Sequence, residues 1–95
     1  MHVGVLTVTL FIGESATLKD KRKVVKSLID TTRREFNVAI AEVDDQDLWQ
    51  RATLGVVCVS NDRGLTNRIL DKVLDKFEKS RQASVSAADV EIVAF

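Results

Sequence analysis

The sequence predicts an α+β fold with a ferredoxin-like βαββαβ order, in which a four-stranded antiparallel sheet carries two helices on one face. Four segments alternate apolar and polar residues or are rich in β-branched residues, and two others repeat apolar residues at helical spacing. A chain of 95 residues has room for one domain, so residues 1–95 are interpreted as a single domain. In this order the first and third strands lie at the centre of the sheet.

The first strand and the first helix are indicated by a change in apolar period. Between residues 3 and 12 every second residue is apolar or Gly, which predicts a strand with one wholly apolar face. Thr17 precedes Asp20 by three residues, an acidic form of the capping box, and predicts a helix that begins near Leu18. Apolar residues at helical spacing continue this helix to about Phe36 without an intervening Gly or Pro.

The rest of the chain reads as strand, strand, helix and strand. The third strand is apolar at both alternating sets of positions, which is typical of a central strand covered on both faces. The second helix follows three good capping residues, Ser60, Asn61 and Asp62. The predicted bounds are 38–43 for the second strand, 44–47 for a turn, Leu48 or Arg51 to Asn61 for the third strand, Leu65 to Ser80 for the helix, and 85–95 for the fourth strand.

One face of the predicted sheet has no helix to cover it. Val5, Thr7, Val57 and Val59 would point to this open sheet face. Several exposed Val side chains are unusual for a monomer, so a partner such as a second copy of the chain is one interpretation. The other is a mildly apolar surface that Thr and long side chains partly shield.

The charges are balanced over the chain but separated along it. Fourteen basic and fourteen acidic residues give a net charge of zero, which argues against attachment to nucleic acid or membrane by bulk charge. From Lys19 to Arg34, however, seven basic and two acidic residues give +5, which leaves −5 elsewhere. This helix face could bind RNA phosphates, bind an acidic protein, or only be solvated. The candidate nucleic-acid-binding residues are Lys19, Arg22, Lys23, Lys26, Arg33 and Arg34.

The predicted turn between the second and third strands is acidic. Its carboxylates are Glu42, Asp44, Asp45 and Asp47. Counted from Asp45, the sixth and twelfth positions of a calcium loop hold Gln50 and Val56 instead of Gly and Glu, so a solvated turn is favoured over a metal site. We also expect an ion pair between Glu42 and Arg51 across the hairpin.

The only Trp lies in or beside this turn. Trp49 is followed by Gln50 and Arg51, and an exposed Trp next to Arg can anchor a protein or stack on a base. A Trp that covers the end of the core is the alternative. The candidate partner-binding residues are Asp47, Trp49, Gln50 and Arg51.

Residues for catalysis are few. His2 is the only histidine and is expected to be exposed, Cys58 lies in an apolar run typical of a buried thiol, and the chain has no Tyr. The third strand lacks the aromatic residues of RNA-recognition motifs, and Gly13–Thr17 lacks the Arg of acylphosphatases. A single Cys, short apolar stretches and no visible signal segment predict a cytoplasmic protein.

Several segments resemble the small bacterial YlxP-like family. The segments are Thr17–Arg22, Phe36–Val38, Ala41–Val43 and Gln46–Ala52, and the Gln-Asp-x-Trp-Gln-Arg pattern in the last is fairly specific. The resemblance implies a ferredoxin-like fold with no known biochemical function. Members are often encoded beside translation-initiation and ribosome-maturation factors, which implies work near the ribosome. The residues that match the family pattern, none with an assigned role, are Leu18, Lys19, Lys21, Arg22, Gln46, Asp47, Trp49, Gln50 and Arg51.

These observations predict a non-enzymatic RNA-binding or ribosome-associated module. The basic helix would contact phosphates, of rRNA for example, and Trp49 and Arg51 would form a local anchor. The alternative is a homodimeric protein-interaction module joined through the open sheet face, without nucleic-acid binding. No cofactor, small-molecule substrate or membrane partner is expected.

Overall fold

The computed structural model describes residues 1–95 and has the predicted order of strands and helices. The strands are β1 (His2–Phe11), β2 (Ala39–Asp44), β3 (Arg51–Ser60) and β4 (Ser84–Ala94), and the helices are α1 (Leu18–Glu35) and α2 (Arg63–Glu78). The sheet order is β2-β3-β1-β4, and every neighbouring pair is antiparallel. The ferredoxin-like prediction is therefore confirmed, with β1 and β3 at the centre.

The core lies between the sheet and the helices. The apolar face predicted for β1 is buried, and it is paired in register with the buried residues of β3; Leu6 lies opposite Val56, for example. The helices cover this layer with one apolar side each, as their period requires. The buried apolar residues of the helices are Val25 and Leu28 of α1 and Leu70, Val73 and Phe77 of α2.

Both helices begin at capping residues that the sequence indicates. Thr17 Oγ1 accepts a hydrogen bond from the Asp20 amide at 3.1 Å, and the Asp20 carboxylate accepts one from the Ala16 amide at 3.2 Å. Asp62 caps α2 by accepting from two backbone amides of its first turn. Neither helix combines the length and the apolar composition that crossing a lipid bilayer requires.

Gly4 permits close packing of α2 on β1. A Cβ atom at this position would lie 2.5 Å from Thr66 Cγ2 and 2.7 Å from Leu70 Cδ1. Any larger residue would therefore displace these side chains or α2 itself, so the Gly permits the close approach of the two layers.

The hairpin between β2 and β3 is longer than predicted. Strand β2 begins at Ala39 and ends at Asp44, and β3 begins at Arg51, so the connection has six residues, 45–50, instead of four. A register shift between Glu42 and Asp44 adds a bulge just before it. Trp49 consequently lies in the loop and not in a strand.

An arginine of α2 covers a carbonyl at the β4 edge of the sheet. Met1 and Phe95 exchange two backbone hydrogen bonds, of 2.6 and 2.7 Å. Hydrogen-bonded and non-hydrogen-bonded residue pairs alternate between antiparallel strands. Ile92, opposite Gly4, lies three pairs from the bonded pair of Met1 and Phe95, so its carbonyl points away from β1. The Arg63 guanidinium donates to this carbonyl at 3.2 Å.

The β2 edge has the same arrangement. The Ile12 amide donates to the Gln50 carbonyl at 2.8 Å. Because hydrogen-bonded pairs recur at every second residue along β1 and β3, the backbone N–H and C=O groups of Val56 point to β1 and not to β2. Its β2 neighbour Ile40 therefore points its carbonyl outward. Arg33 of α1 donates to that carbonyl at 3.3 Å.

Candidate interaction surfaces

The outer side of α1 carries most of the predicted basic residues. Lys26 forms an ion pair with Asp30 at 3.3 Å, and Arg33 is exposed but directs its guanidinium to the β2 edge. The remaining four cations make no ion pair. Together with Lys26 they are termed the basic face: Lys19, Arg22, Lys23, Lys26 and Arg34.

A shallow depression lies along the basic face. Its volume is about 350 Å³, and no apolar residue lines it. Three of its walls are Lys23, Lys26 and Arg34, and the others are Ser27, Asp30 and Thr31. Such a surface suits a charged, extended ligand better than an apolar one.

Lys21 is the buried lysine of α1, with 1% of its surface exposed. Its Nζ lies 2.7 Å from Glu42 Oε2 and donates to the backbone carbonyl of Asp45 at 2.5 Å, so it joins α1 to the hairpin. The predicted pair of Glu42 and Arg51 is wrong. Glu42 lies opposite Leu54, which turns it toward the helices, where Lys21 reaches it.

Asp45 organises the start of the hairpin loop. It has a φ of 64°, a left-handed conformation that Asp tolerates better than most residues. Its Oδ2 lies 3.1 Å from Arg51 Nε and accepts a hydrogen bond from Thr53 Oγ1 at 2.7 Å. Its carbonyl accepts from Lys21 and from the Leu48 amide. Arg51, the first residue of β3, thus forms its ion pair with Asp45 of the loop.

Three large apolar side chains are exposed at the tip of this hairpin and at the adjacent end of β1. Phe11, Leu48 and Trp49 each have between 46% and 49% of their surface exposed and are termed the hairpin cluster. They line a depression of about 300 Å³ together with Gln50 and Arg51. Trp49 therefore does not fill the end of the core, and the exposed alternative of the sequence interpretation is the one that the structure supports.

The other predicted partner-binding residues differ in their surroundings. Gln50 is half-buried, and its side-chain amide donates to the Gly13 carbonyl at 3.4 Å, which ties the loop to the end of β1. Asp47 and Asp44 are exposed and make no ion pair. No group of three or more His, Cys, Asp or Glu is arranged to hold a metal ion.

The open sheet face is apolar on its β2 and β3 side but carries two exposed carboxylates on β4, Asp89 and Glu91, which lie opposite Thr7 and Val5 of β1. Val57 and Val59 of β3 are exposed, and so are Val43 of β2 and Val93 of β4. A shallow depression of about 340 Å³ crosses its β2 side; its lining includes Val5, Ala41 and Val57.

The lone Cys and the lone His both lie on strands of the sheet and are at least partly buried. Cys58 is buried as predicted, and burial raises the pKa of its thiol, against a smaller lowering by a backbone hydrogen bond from Gly4. His2 was expected to be exposed, which is wrong, since it is half-buried at the start of β1 beside Ser60.

Contacts of Lys21 and Phe11 were not predicted from the sequence. Lys21 lies four and seven residues before Val25 and Leu28, so helical spacing alone places it on the buried side of α1. Phe11 is the last outward residue in the alternation of β1 and stands opposite Arg51. Both signals are present in the sequence, although the partners depend on the hairpin geometry.

The architecture defines the chain as a small α+β protein of the ferredoxin-like class. Residues 3–90 match the family described as "Protein of unknown function (DUF503)", and the chain belongs to this family. It is 36% identical over 72 residues to "Uncharacterized protein YlxP" of Bacillus subtilis (strain 168), which covers 76% of this chain and 78% of that protein. The predicted YlxP-like resemblance is thereby confirmed.

A solved structure shares the fold. It is a "De novo designed protein Foldit4", with a TM-score of 0.56, 14% sequence identity and coverage of 100% of this chain and 99% of that chain. At this identity the likeness concerns the fold alone.

Proposed function

We propose that this protein is a non-enzymatic RNA-binding module that acts in association with the ribosome, and that the basic face of α1 contacts RNA phosphates. The observation that carries the proposal is the set of five exposed cations on one side of one helix, with a single paired carboxylate, Asp30, among them. A merely solvated face would more often interleave the two signs of charge.

The dimensions of α1 fit this role. Its 18 residues span about 27 Å at 1.5 Å per residue, which is enough to face several successive phosphates of a duplex. In a protein of zero net charge, such a helix favours binding in one orientation, because residues 19–34 carry +5 while the rest of the chain carries −5. The ribosomal association rests on the genomic company that the YlxP-like resemblance implies.

The test is RNA binding measured over a salt series. With a structured RNA hairpin as the probe, the logarithm of the affinity should fall linearly with the logarithm of the salt concentration, by about 0.7 to 0.9 per neutralised phosphate. The variant Lys19→Glu/Arg22→Glu/Lys26→Glu should lose at least about a hundredfold in affinity and have a shallower salt slope.

A matched control separates local from overall charge. The variant Arg68→Glu/Lys72→Glu/Arg81→Glu changes three exposed cations that make no ion pair, and it changes the net charge by the same amount. It should bind nearly as wild type. Equal losses in both variants, or affinity that does not depend on salt, would contradict binding through the basic face. Co-sedimentation of the same proteins with purified ribosomal subunits tests the ribosomal part.

A second candidate function is homodimerisation through the open sheet face, favoured by the exposed valines on it. Three strands of 10 or 11 residues and β2 of six residues, about 4.8 Å apart, give roughly 600 Å² of flat area, near the roughly 800 Å² per partner of a standard interface. Light scattering should then give twice the monomer mass. Val57→Asp should produce monomers and Val57→Thr should not; a monomeric wild type contradicts this candidate.

A further inference from the structure

We propose that the hairpin cluster is a second interaction surface, which binds a protein segment presenting an aliphatic or aromatic side chain beside a lysine or arginine. Phe11, Leu48 and Trp49 lie side by side around a depression of about 300 Å³, large enough for one such side chain. Trp is among the residues that contribute most to protein–protein affinity when a partner buries them. This surface is distinct from the basic face, so the inference does not rest on RNA binding.

The charges around the cluster select the chemistry of the partner. Of the four carboxylates in and before the loop, two are paired with Lys21 and Arg51. The other two, Asp44 and Asp47, are exposed and make no ion pair. This negative field repels phosphates and attracts a Lys or Arg, which the Trp49 ring can also bind by a cation–π contact.

The loop is held in place before any partner arrives. Lys21, Arg51 and Thr53 all contact Asp45, and these contacts hold its unfavourable left-handed backbone conformation in place. Gln50 ties the other end of the loop to Gly13. A fixed loop loses little conformational entropy on binding, and this preorganisation raises the affinity of an exposed apolar surface.

As a test, short peptides are selected from a random phage-displayed library for binding to the full-length protein. Phages that also bind the Trp49→Ala variant are removed by counter-selection. The recovered peptides should combine an aliphatic or aromatic residue with Lys or Arg. Synthetic versions without Trp should shift the fluorescence of Trp49, the only Trp of the chain, and bind wild type at least about tenfold more tightly than Trp49→Ala.

Charge reversal tests the acidic component. Asp44→Lys/Asp47→Lys should weaken peptide binding about tenfold, whereas Asp71→Lys/Glu78→Lys on α2, an equal charge change at exposed positions, should leave it unchanged. Selection of no peptides, of acidic peptides, or of peptides that tolerate the reversal would overturn the proposal.

Measurement of RNA and peptide binding by the same variants distinguishes the hairpin cluster from the basic face. The Lys19→Glu/Arg22→Glu/Lys26→Glu variant should keep full peptide binding even if it loses RNA. If instead an RNA hairpin with an unpaired overhang shifts Trp49 emission and requires Trp49, the cluster stacks on bases and the protein-partner assignment is refuted.

Discussion

Replacement of Lys21 by Met should destabilise the protein more than any exposed lysine replacement. Lys21 is almost fully buried, and its ammonium group contacts Glu42 Oε2 at 2.7 Å and the Asp45 carbonyl. Met keeps the length of the side chain and its apolar contacts but removes the charge. Glu42 is then left without a cation, and the Asp45 carbonyl loses a donor.

The magnitude follows from the burial of both partners. Breaking a buried ion pair by removing one partner costs about 3–5 kcal/mol. The Glu42 side chain is 19% exposed and can recruit water, so the lower end, about 3 kcal/mol, is expected. A domain of this size has roughly 5–14 kcal/mol of stability, so the variant should lose about a fifth to three fifths of it, and its Tm should fall by roughly 12–24 °C.

Urea unfolding followed by far-UV circular dichroism measures the loss, and Trp49 emission reports the hairpin separately. Lys23→Met, on the exposed side of the same helix, is the control and should stay within about 0.5 kcal/mol of wild type. The double variant Lys21→Met/Glu42→Leu should recover much of the loss, because it leaves no unpaired charge. A loss below about 1 kcal/mol for Lys21→Met, or no recovery in the double variant, would refute this account.

Three further predictions concern the packing, the thiol and a helix cap. Gly4→Ala should cost about 1–3 kcal/mol in urea unfolding, because its Cβ would press on Thr66 and Leu70; wild-type stability would contradict the close approach. Since burial raises the pKa of Cys58, the unfolded chain loses the thiol proton first, so stability should fall as pH rises above about 9, and Cys58→Ala should lack this slope. Asp62→Ala should lower the free energy of unfolding by about 1 kcal/mol in thermal melts, and Asp62→Asn should restore most of it; equal losses in both would argue against the cap.

The fold was predictable because its signals are local. The alternation in β1, the apolar run of β3 and the capping residues Thr17 and Asp62 each act within a few residues of the chain. The element order then leaves few topologies, and the buried pairing of Leu6 with Val56 follows from the apolar face of each strand.

The ion pairs of the hairpin were not predictable in the same way. A four-residue turn would place Glu42 near Arg51, but the bulge after Glu42 and the left-handed Asp45 lengthen the loop and change the partners. The sequence showed Lys21 only as one of several charged residues of α1. Its burial depends on a partner from another element, Glu42 of β2, because charged residues are rarely buried unpaired. The exposure of Trp49 depends on the same loop length.

The two arginines at the sheet edges bear on how copies of this chain can meet. An edge strand as long as the 11 residues of β4 is a template on which another chain could extend the sheet. Arg63 occupies an outward carbonyl of β4, and Arg33 does the same on β2, so a strand added at either edge would have to displace a guanidinium. Each arginine thus makes one edge of the sheet less available to another chain, which disfavours edge-to-edge aggregation into an open-ended polymer.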